Sequence, residues 1–166
     1  MTRVYLPATT TVLRALLDAG ELGPPPVRAF AVTPALREWY AEADAEELEY
    51  AALADAARAS LRMLDTDPGA ARRRVVLAAD VPEEAVRVRT DLDRSVVQLA
   101  TAVALGQIAA AHVDTPEAES TVAAAASSVL EADLGSADAQ FVVDEAEGHE
   151  LAWYATQEIG PLLELL

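Results

Sequence analysis

The sequence contains no cysteine and no lysine, and each absence excludes a class of chemistry. Without cysteine the chain forms no disulfide, binds no metal through thiolates and has no cysteine nucleophile. All 12 basic residues are arginines, and 28 aspartates and glutamates bring the formal net charge to −16. A chain this acidic is repelled by phosphate backbones and by anionic membrane surfaces. We therefore expect no binding to nucleic acid or to membranes.

Aromatic residues and long apolar runs are also scarce. Aromatics make up 5% of the chain although 52% is hydrophobic, so the core must consist mainly of valine, leucine and alanine. A length of 166 residues corresponds to one domain. The chain enters Val4-Tyr5-Leu6 without a signal-peptide pattern, and no apolar run reaches transmembrane length. The sequence predicts a single cytoplasmic domain over residues 1–166.

Two helix starts combine a capping residue with proline. Thr33-Pro34 is one, and Asp114-Thr115-Pro116 is the other, with Glu117 placed for a capping box with Asp114. Residues 45–64 carry apolar side chains on one wide face and charged ones on the opposite face. This pattern predicts a long amphipathic helix.

Short β-branched and aromatic runs predict strands. They lie at residues 4–6, 27–32, 74–79, 86–88, 96–99 and 110–113. The end of the chain predicts a hairpin, with a strand at 141–143, a turn at 144–148 and a second strand at 149–155. Its expected core residues are Phe141, Val143, Leu151 and Trp153. Together these patterns predict an α+β fold, a mixed β-sheet of about five to seven short strands packed with three or four helices.

The strongest candidate site combines the two histidines with nearby carboxylates. His112 and Asp114 are two apart on a predicted strand, so both face one side of it. A carboxylate beside an imidazole raises its basicity, which suits a general base or a metal ligand. His149 and Glu150 would complete a small-molecule or divalent-metal site if the two segments meet. The alternative is a half-buried strand histidine and a solvated acidic turn.

Three further features have both a structural and a functional interpretation. Glu49 lies beside the apolar face of the long helix, where it either pairs with Arg37 or Arg28 or borders a cleft. The run Arg72-Arg73-Arg74 is expected to be solvated at a strand start, with a local phosphate contact as the alternative. The dipeptides Trp39-Tyr40 and Trp153-Tyr154 are expected to anchor the core, with ligand binding as the alternative.

Several stretches resemble a small actinobacterial family of uncharacterised proteins. They are residues 3–8, 29–33, 46–52, 73–81 and 112–114, and residues 139–141 together with 149–154. The resemblance covers nearly the whole chain, which implies one domain and an actinobacterial cytoplasmic protein. The family has no assigned activity, so the resemblance implies no catalytic residue.

Two functions of different classes follow. No phosphate-binding glycine loop, nucleophile elbow or zinc-protease motif is present, which favours a non-enzymatic protein-interaction or regulatory role with no cofactor. The partner would be a basic protein or a second copy of the chain. The alternative is a small-molecule or metal site, with or without catalysis, at His112, Asp114, His149 and Glu150. Glu49 is its candidate acid.

Overall fold

A seven-stranded antiparallel sheet forms the centre of the computed structural model, which describes residues 1–166. The strands are β1 (Thr2–Ala8), β2 (Glu21–Leu22), β3 (Val27–Phe30), β4 (Val75–Val81), β5 (Val86–Val88), β6 (Val96–Leu99), β7 (Val103–Ala104), β8 (Ile108–Asp114) and β9 (Leu151–Ala155). Seven of these nine strands form the main sheet in the order β5-β6-β3-β1-β4-β8-β9. The other two, β2 and β7, pair with each other in a separate small sheet.

Six α-helices surround this sheet. They are α1 (Thr10–Ala19), α2 (Pro34–Trp39), α3 (Ala45–Asp65), α4 (Glu119–Asp133), α5 (Ala137–Glu147) and α6 (Ile159–Glu164). Short 3₁₀ turns precede β5, β8, α4 and α6. The predicted α+β class is confirmed. Every strand pairing is antiparallel, and there are more helices than the sequence predicts. None of these helices combines the length and the apolarity needed to cross a membrane.

Both faces of the sheet are covered, which explains why β4 is apolar without alternation. On one face Leu6 and Leu77 pack with side chains of α1 and α6. On the other face Tyr5 and Val76 pack under α3. A third cluster, rich in alanine, joins α3 to α4 and α5. Small side chains at these helix contacts allow close packing, so the scarcity of aromatics is compatible with a filled core.

Local capping signals place the long helix as predicted. Asp44 accepts a hydrogen bond from the Glu47 main-chain nitrogen, and the Glu47 carboxylate accepts one from the Asp44 nitrogen. This reciprocal capping box starts α3 at the predicted residue. At the end of α1, Gly20 adopts a φ of 78°, a left-handed conformation that glycine reaches without strain.

The prediction of a hairpin at the end of the chain is wrong for its first strand. Residues 141–143 belong to α5, which Ser136 caps by accepting a hydrogen bond from the Ala139 nitrogen. Ala139, Val143 and Ala146 are buried at helical spacing, and this tertiary packing overrides the β-propensity of three consecutive residues. Val143 is therefore core, whereas Phe141 lies on the outer face of α5 and is 65% exposed.

The predicted burial of Trp153 is also wrong. β9 is the edge strand of the sheet, and Trp153 is 62% exposed there. Trp39 is exposed as well, and the Arg94 guanidinium lies 3.5 Å from the centre of its indole ring. Neither tryptophan anchors the core.

The hydroxyl of Ser60 joins α3 to two strands. It donates to the Ala8 carbonyl oxygen (2.7 Å) and accepts from the Val75 nitrogen (3.1 Å), and Ser60 is fully buried. We expect Ser60→Ala to lower the free energy of unfolding by about 1–3 kcal/mol, because both main-chain groups lose their partner. Urea unfolding measures the change. Ser127→Ala, at an exposed position of α4, is the matched control and should change stability by less than about 0.5 kcal/mol.

Candidate functional site

A cavity of about 600 Å³ lies between α3, the end of α5 and the β8–β9 edge of the sheet. We call it the edge cavity. His112 lines it from β8, and His149 and Glu150 line it from the link between α5 and β9. The pairing of β8 with β9 explains this meeting, since Asp114 at the end of β8 lies opposite Leu151 at the start of β9. The two histidine segments are therefore neighbours, although 36 residues separate them in sequence.

Asp114 lies on the same face of β8 as His112, but its carboxylate binds Arg74. Its carboxylate is fully buried and accepts three hydrogen bonds from Arg74, from the main-chain nitrogen (2.7 Å), Nε (2.8 Å) and Nη2 (2.8 Å). Asp114 does not line the edge cavity. Its carboxylate therefore neutralises Arg74 and does not serve the His112 imidazole.

Arg74 belongs to the site, although the sequence predicted it to be solvated. Its Nη2 also donates to the carbonyl oxygen of His149 (2.9 Å), so one guanidinium ties the end of β8 to the turn before β9. Arg74 itself lines the edge cavity, with its side chain only 4% exposed. An arginine directly preceding a buried apolar strand was the available signal, because a charge there needs a buried partner.

The prediction that Arg72-Arg73-Arg74 is solvated is wrong, because these arginines bind partners within the protein. Arg73 is buried and binds Glu119 through Nη2 (2.7 Å). Arg72 donates to the carbonyl oxygens of Leu64, in the last turn of α3, and of Ala70, in the loop after it, and thereby satisfies these main-chain groups. The capping box predicted from Asp114 to Glu117 is absent, because the Asp114 carboxylate belongs to Arg74.

His112 presents a half-buried imidazole to the edge cavity. Burial, reinforced by the positive charge of Arg3, lowers the pKa of its imidazole below the usual 6.5. No hydrogen bond within the protein contributes to this shift, and no buried side-chain nitrogen in the protein lacks a partner. The ring is therefore neutral at pH 7 and offers its nitrogens to a bound molecule, as one donor and one acceptor.

The lowered pKa of His112 predicts a stability that falls in weak acid. Unfolding returns the ring to its ordinary pKa near 6.5, so the unfolded chain binds a proton more readily. Stability from this group is complete above 6.5 and is lost as pH falls toward the lower pKa of the folded state. Following the imidazole resonances of folded and urea-unfolded protein against pH measures both values. In His112→Gln this part of the pH dependence should disappear, and a folded-state pKa at or above 6.5 would contradict the prediction.

The charges around His112 leave the edge cavity acidic. Arg58 is bound by Asp133 (3.2 Å), and its Nη1 lies 3.7 Å from Glu147. Arg74 is neutralised by Asp114. Glu150 forms no ion pair in the protein and is exposed at the cavity mouth. The unpaired charge of the lining is therefore negative.

Apolar side chains complete the lining. Tyr50 and Leu53 contribute from α3, and Leu151 contributes from β9. No group of three or more histidine, cysteine, aspartate or glutamate side chains is arranged to hold a metal ion. The lining thus combines apolar side chains with a few polar ones.

Glu49 lies outside the edge cavity. It is exposed on α3, and its charge acts on Tyr5, whose pKa is raised first by burial and second by Glu49. Glu49 forms no ion pair with Arg28 or Arg37. Of the five candidate residues, the structure brings His112, His149 and Glu150 together.

The fold and the site define an α+β protein with a cavity between α3 and the edge of an antiparallel sheet. The chain belongs to a family of unknown function (DUF6912), whose model matches residues 2–163. The match spans nearly the entire domain, in agreement with the resemblance noted from the sequence. No curated protein and no solved structure matches the chain.

Proposed function

We propose that the edge cavity binds a small organic molecule with an apolar body and a protonated amine. The observation that carries this proposal is the meeting of His112, His149 and Glu150 in one cavity. The volume of about 600 Å³ is in the range of small-molecule sites. The neutral ring of His112 supplies hydrogen bonding, and Leu53 and Leu151 supply the apolar wall.

The preference for an amine follows from the charges of the lining. Arg58 and Arg74 are already paired with carboxylates, so they offer little to an anionic ligand. Glu150 is unpaired and at the mouth, where a ligand cation can reach it. Removal of water by the ligand strengthens this attraction, because the effective dielectric constant falls.

The test uses three probes with the same ring and different charge: 2-phenylethylamine, 2-phenylethanol and 3-phenylpropionate. The protein has only two histidines, so each imidazole can be followed separately by NMR. We expect the amine to bind most tightly and to shift the His112 resonances. Glu150→Gln should weaken amine binding several-fold, whereas Glu49→Gln, on α3 but outside the cavity, should not. Equal binding of all three probes, or shifts remote from His112 and His149, would contradict the proposal.

A protein-interaction role is the second candidate, and a separate observation favours it. Large apolar side chains are exposed at Trp153, Phe141 and Leu134, outside the edge cavity. Exposed apolar side chains of this size can serve as anchors for a partner protein. Sedimentation velocity of the purified chain, alone and with an unstructured arginine-rich peptide, tests this role. A single monomeric species in both experiments would contradict it.

A further inference from the structure

We infer that β9 is a docking edge for an extended, basic segment of a partner protein, which adds a strand to the sheet. The inference rests on the protein-interaction role proposed above and is independent of ligand binding in the edge cavity. Its structural basis is that β9 pairs on one side only, with β8. Edge strands of this kind accept extended peptides through main-chain hydrogen bonds.

The alternation of the β8 ladder identifies which main-chain groups of β9 are free. The Asp114 nitrogen donates to the Arg74 carbonyl oxygen, so Asp114 directs its main-chain groups toward β4. Its neighbour Val113 must then direct its groups toward Ala152 of β9. Because main-chain groups alternate in direction along a strand, Ala111 likewise directs its groups toward Tyr154 of β9. Leu151 and Trp153 consequently direct their N–H and C=O groups away from the sheet.

One end of this edge is closed by the protein itself. The N–H of Ala155, which shares the parity of Trp153, donates to the Glu158 carboxylate (2.9 Å). A docked strand is thereby limited to the part of the edge at Leu151 and Trp153. Trp153 lies opposite His112 on the same face of the sheet, and its indole is exposed beside the edge. An apolar side chain of the incoming strand would pack against this ring.

Charge identifies the occupant as a basic segment. Residues 108–166, which comprise β8, β9, α4, α5 and α6, contain 12 aspartates and glutamates and no arginine. Glu150 directly precedes β9, and Glu158 follows it. Arginine or lysine side chains flanking an apolar residue would meet opposite charge at both ends of the edge.

The same charges disfavour a second copy of this chain. Antiparallel pairing of two β9 strands around Trp153 would bring Glu150 toward Glu158 of the second copy. Each copy also carries a net charge of −16. Like charges placed together across a strand pair are destabilising. The occupant is therefore another protein.

The experiment uses a capped nonapeptide of alternating arginine and valine. Its control is the same peptide N-methylated at every central amide, which keeps the charges and side chains but removes the ladder donors. We expect the unmethylated peptide to bind about tenfold or more tightly than the methylated one. Its binding should shift the amide resonances of Leu151 and Trp153 and slow their hydrogen exchange.

Variants of the protein locate the binding. Trp153→Pro removes an outward-facing N–H together with the indole ring, at an edge position where proline is tolerated, and it should weaken binding about fivefold or more. Glu150→Arg leaves the main chain intact and should also weaken binding. Trp39→Ala, at the other exposed tryptophan, should bind like the natural protein.

The outcomes separate this inference from the broader role. Suppose that methylation of the arginine–valine peptide does not weaken binding and that Trp153→Pro binds the peptide as well as the natural protein does. Strand addition at β9 is then overturned, whereas the protein-interaction role survives. If neither peptide binds, both are overturned. A glutamate–valine peptide that binds as tightly would overturn the basic occupant. Self-association that Trp153→Pro abolishes would identify a second copy instead.

Discussion

Asp114→Ala is expected to lower the free energy of unfolding by about 3–5 kcal/mol, because it leaves the Arg74 guanidinium buried without a counter-charge. The substitution also removes the acceptor of the Arg74 main-chain nitrogen. Urea unfolding of the natural and variant proteins measures the loss. The resonances of His149 should move as well, since Arg74 also binds the His149 carbonyl oxygen.

A surface ion pair provides the control for this experiment. Arg3 and Asp80 are 2.7 Å apart, but both side chains are more than 40% exposed. Asp80→Ala should therefore cost less than about 1 kcal/mol. The double variant Arg74→Met, Asp114→Leu should recover much of the loss, because it removes both charges. A cost for Asp114→Ala as small as that for Asp80→Ala would show that the buried pair contributes little.

Leu77→Ala is expected to destabilise the protein by about 2–5 kcal/mol. Leu77 is completely buried at the centre of β4 and packs in the cluster formed by the sheet with α1 and α6. Shortening its side chain removes apolar contacts and leaves a cavity that the surrounding strands fill only in part. The change in the urea midpoint, at unchanged m-value, measures the effect.

Leu134→Ala makes the same chemical change at the surface. Leu134 follows α4 and is 80% exposed, so the variant should differ from the natural protein by less than about 0.5 kcal/mol. Similar losses at the two positions would contradict the packing described for the central sheet.

The parts of the fold that the sequence predicted well depend on local signals. α3 begins at its capping box, α2 begins at Thr33-Pro34, and β5 and β6 coincide with their apolar runs. α5 lacked such agreement, since Phe141-Val142-Val143 favours a strand by itself. Ser136 and the helical spacing of Ala139 and Val143 were the competing signals. Packing against α4 decided between them, and that contact is invisible in a short window of sequence.

In the candidate site, too, some features were predictable from local sequence and others depend on the pairing of distant strands. The shared face of His112 and Asp114 follows from strand alternation alone. The proximity of His149 requires the β8–β9 pairing, and the exposure of Trp153 requires the strand order; neither is encoded locally. The partnership of Arg74 with Asp114 spans 40 residues of sequence, so the carboxylate looked available when it was already used.

The hydrogen bond from Arg74 to the His149 carbonyl oxygen has a consequence for the kinetics of ligand binding in the edge cavity. It ties the turn before β9 to a buried ion pair in the sheet, which restricts movement of this wall of the cavity. A preorganised wall loses little conformational entropy when it is occupied, and more of the contact energy appears as affinity. Association should then occur in a single kinetic step, with a rate constant proportional to probe concentration and no slower phase of rearrangement. The cavity would thus act as a ready-made receptor rather than one that forms around its ligand.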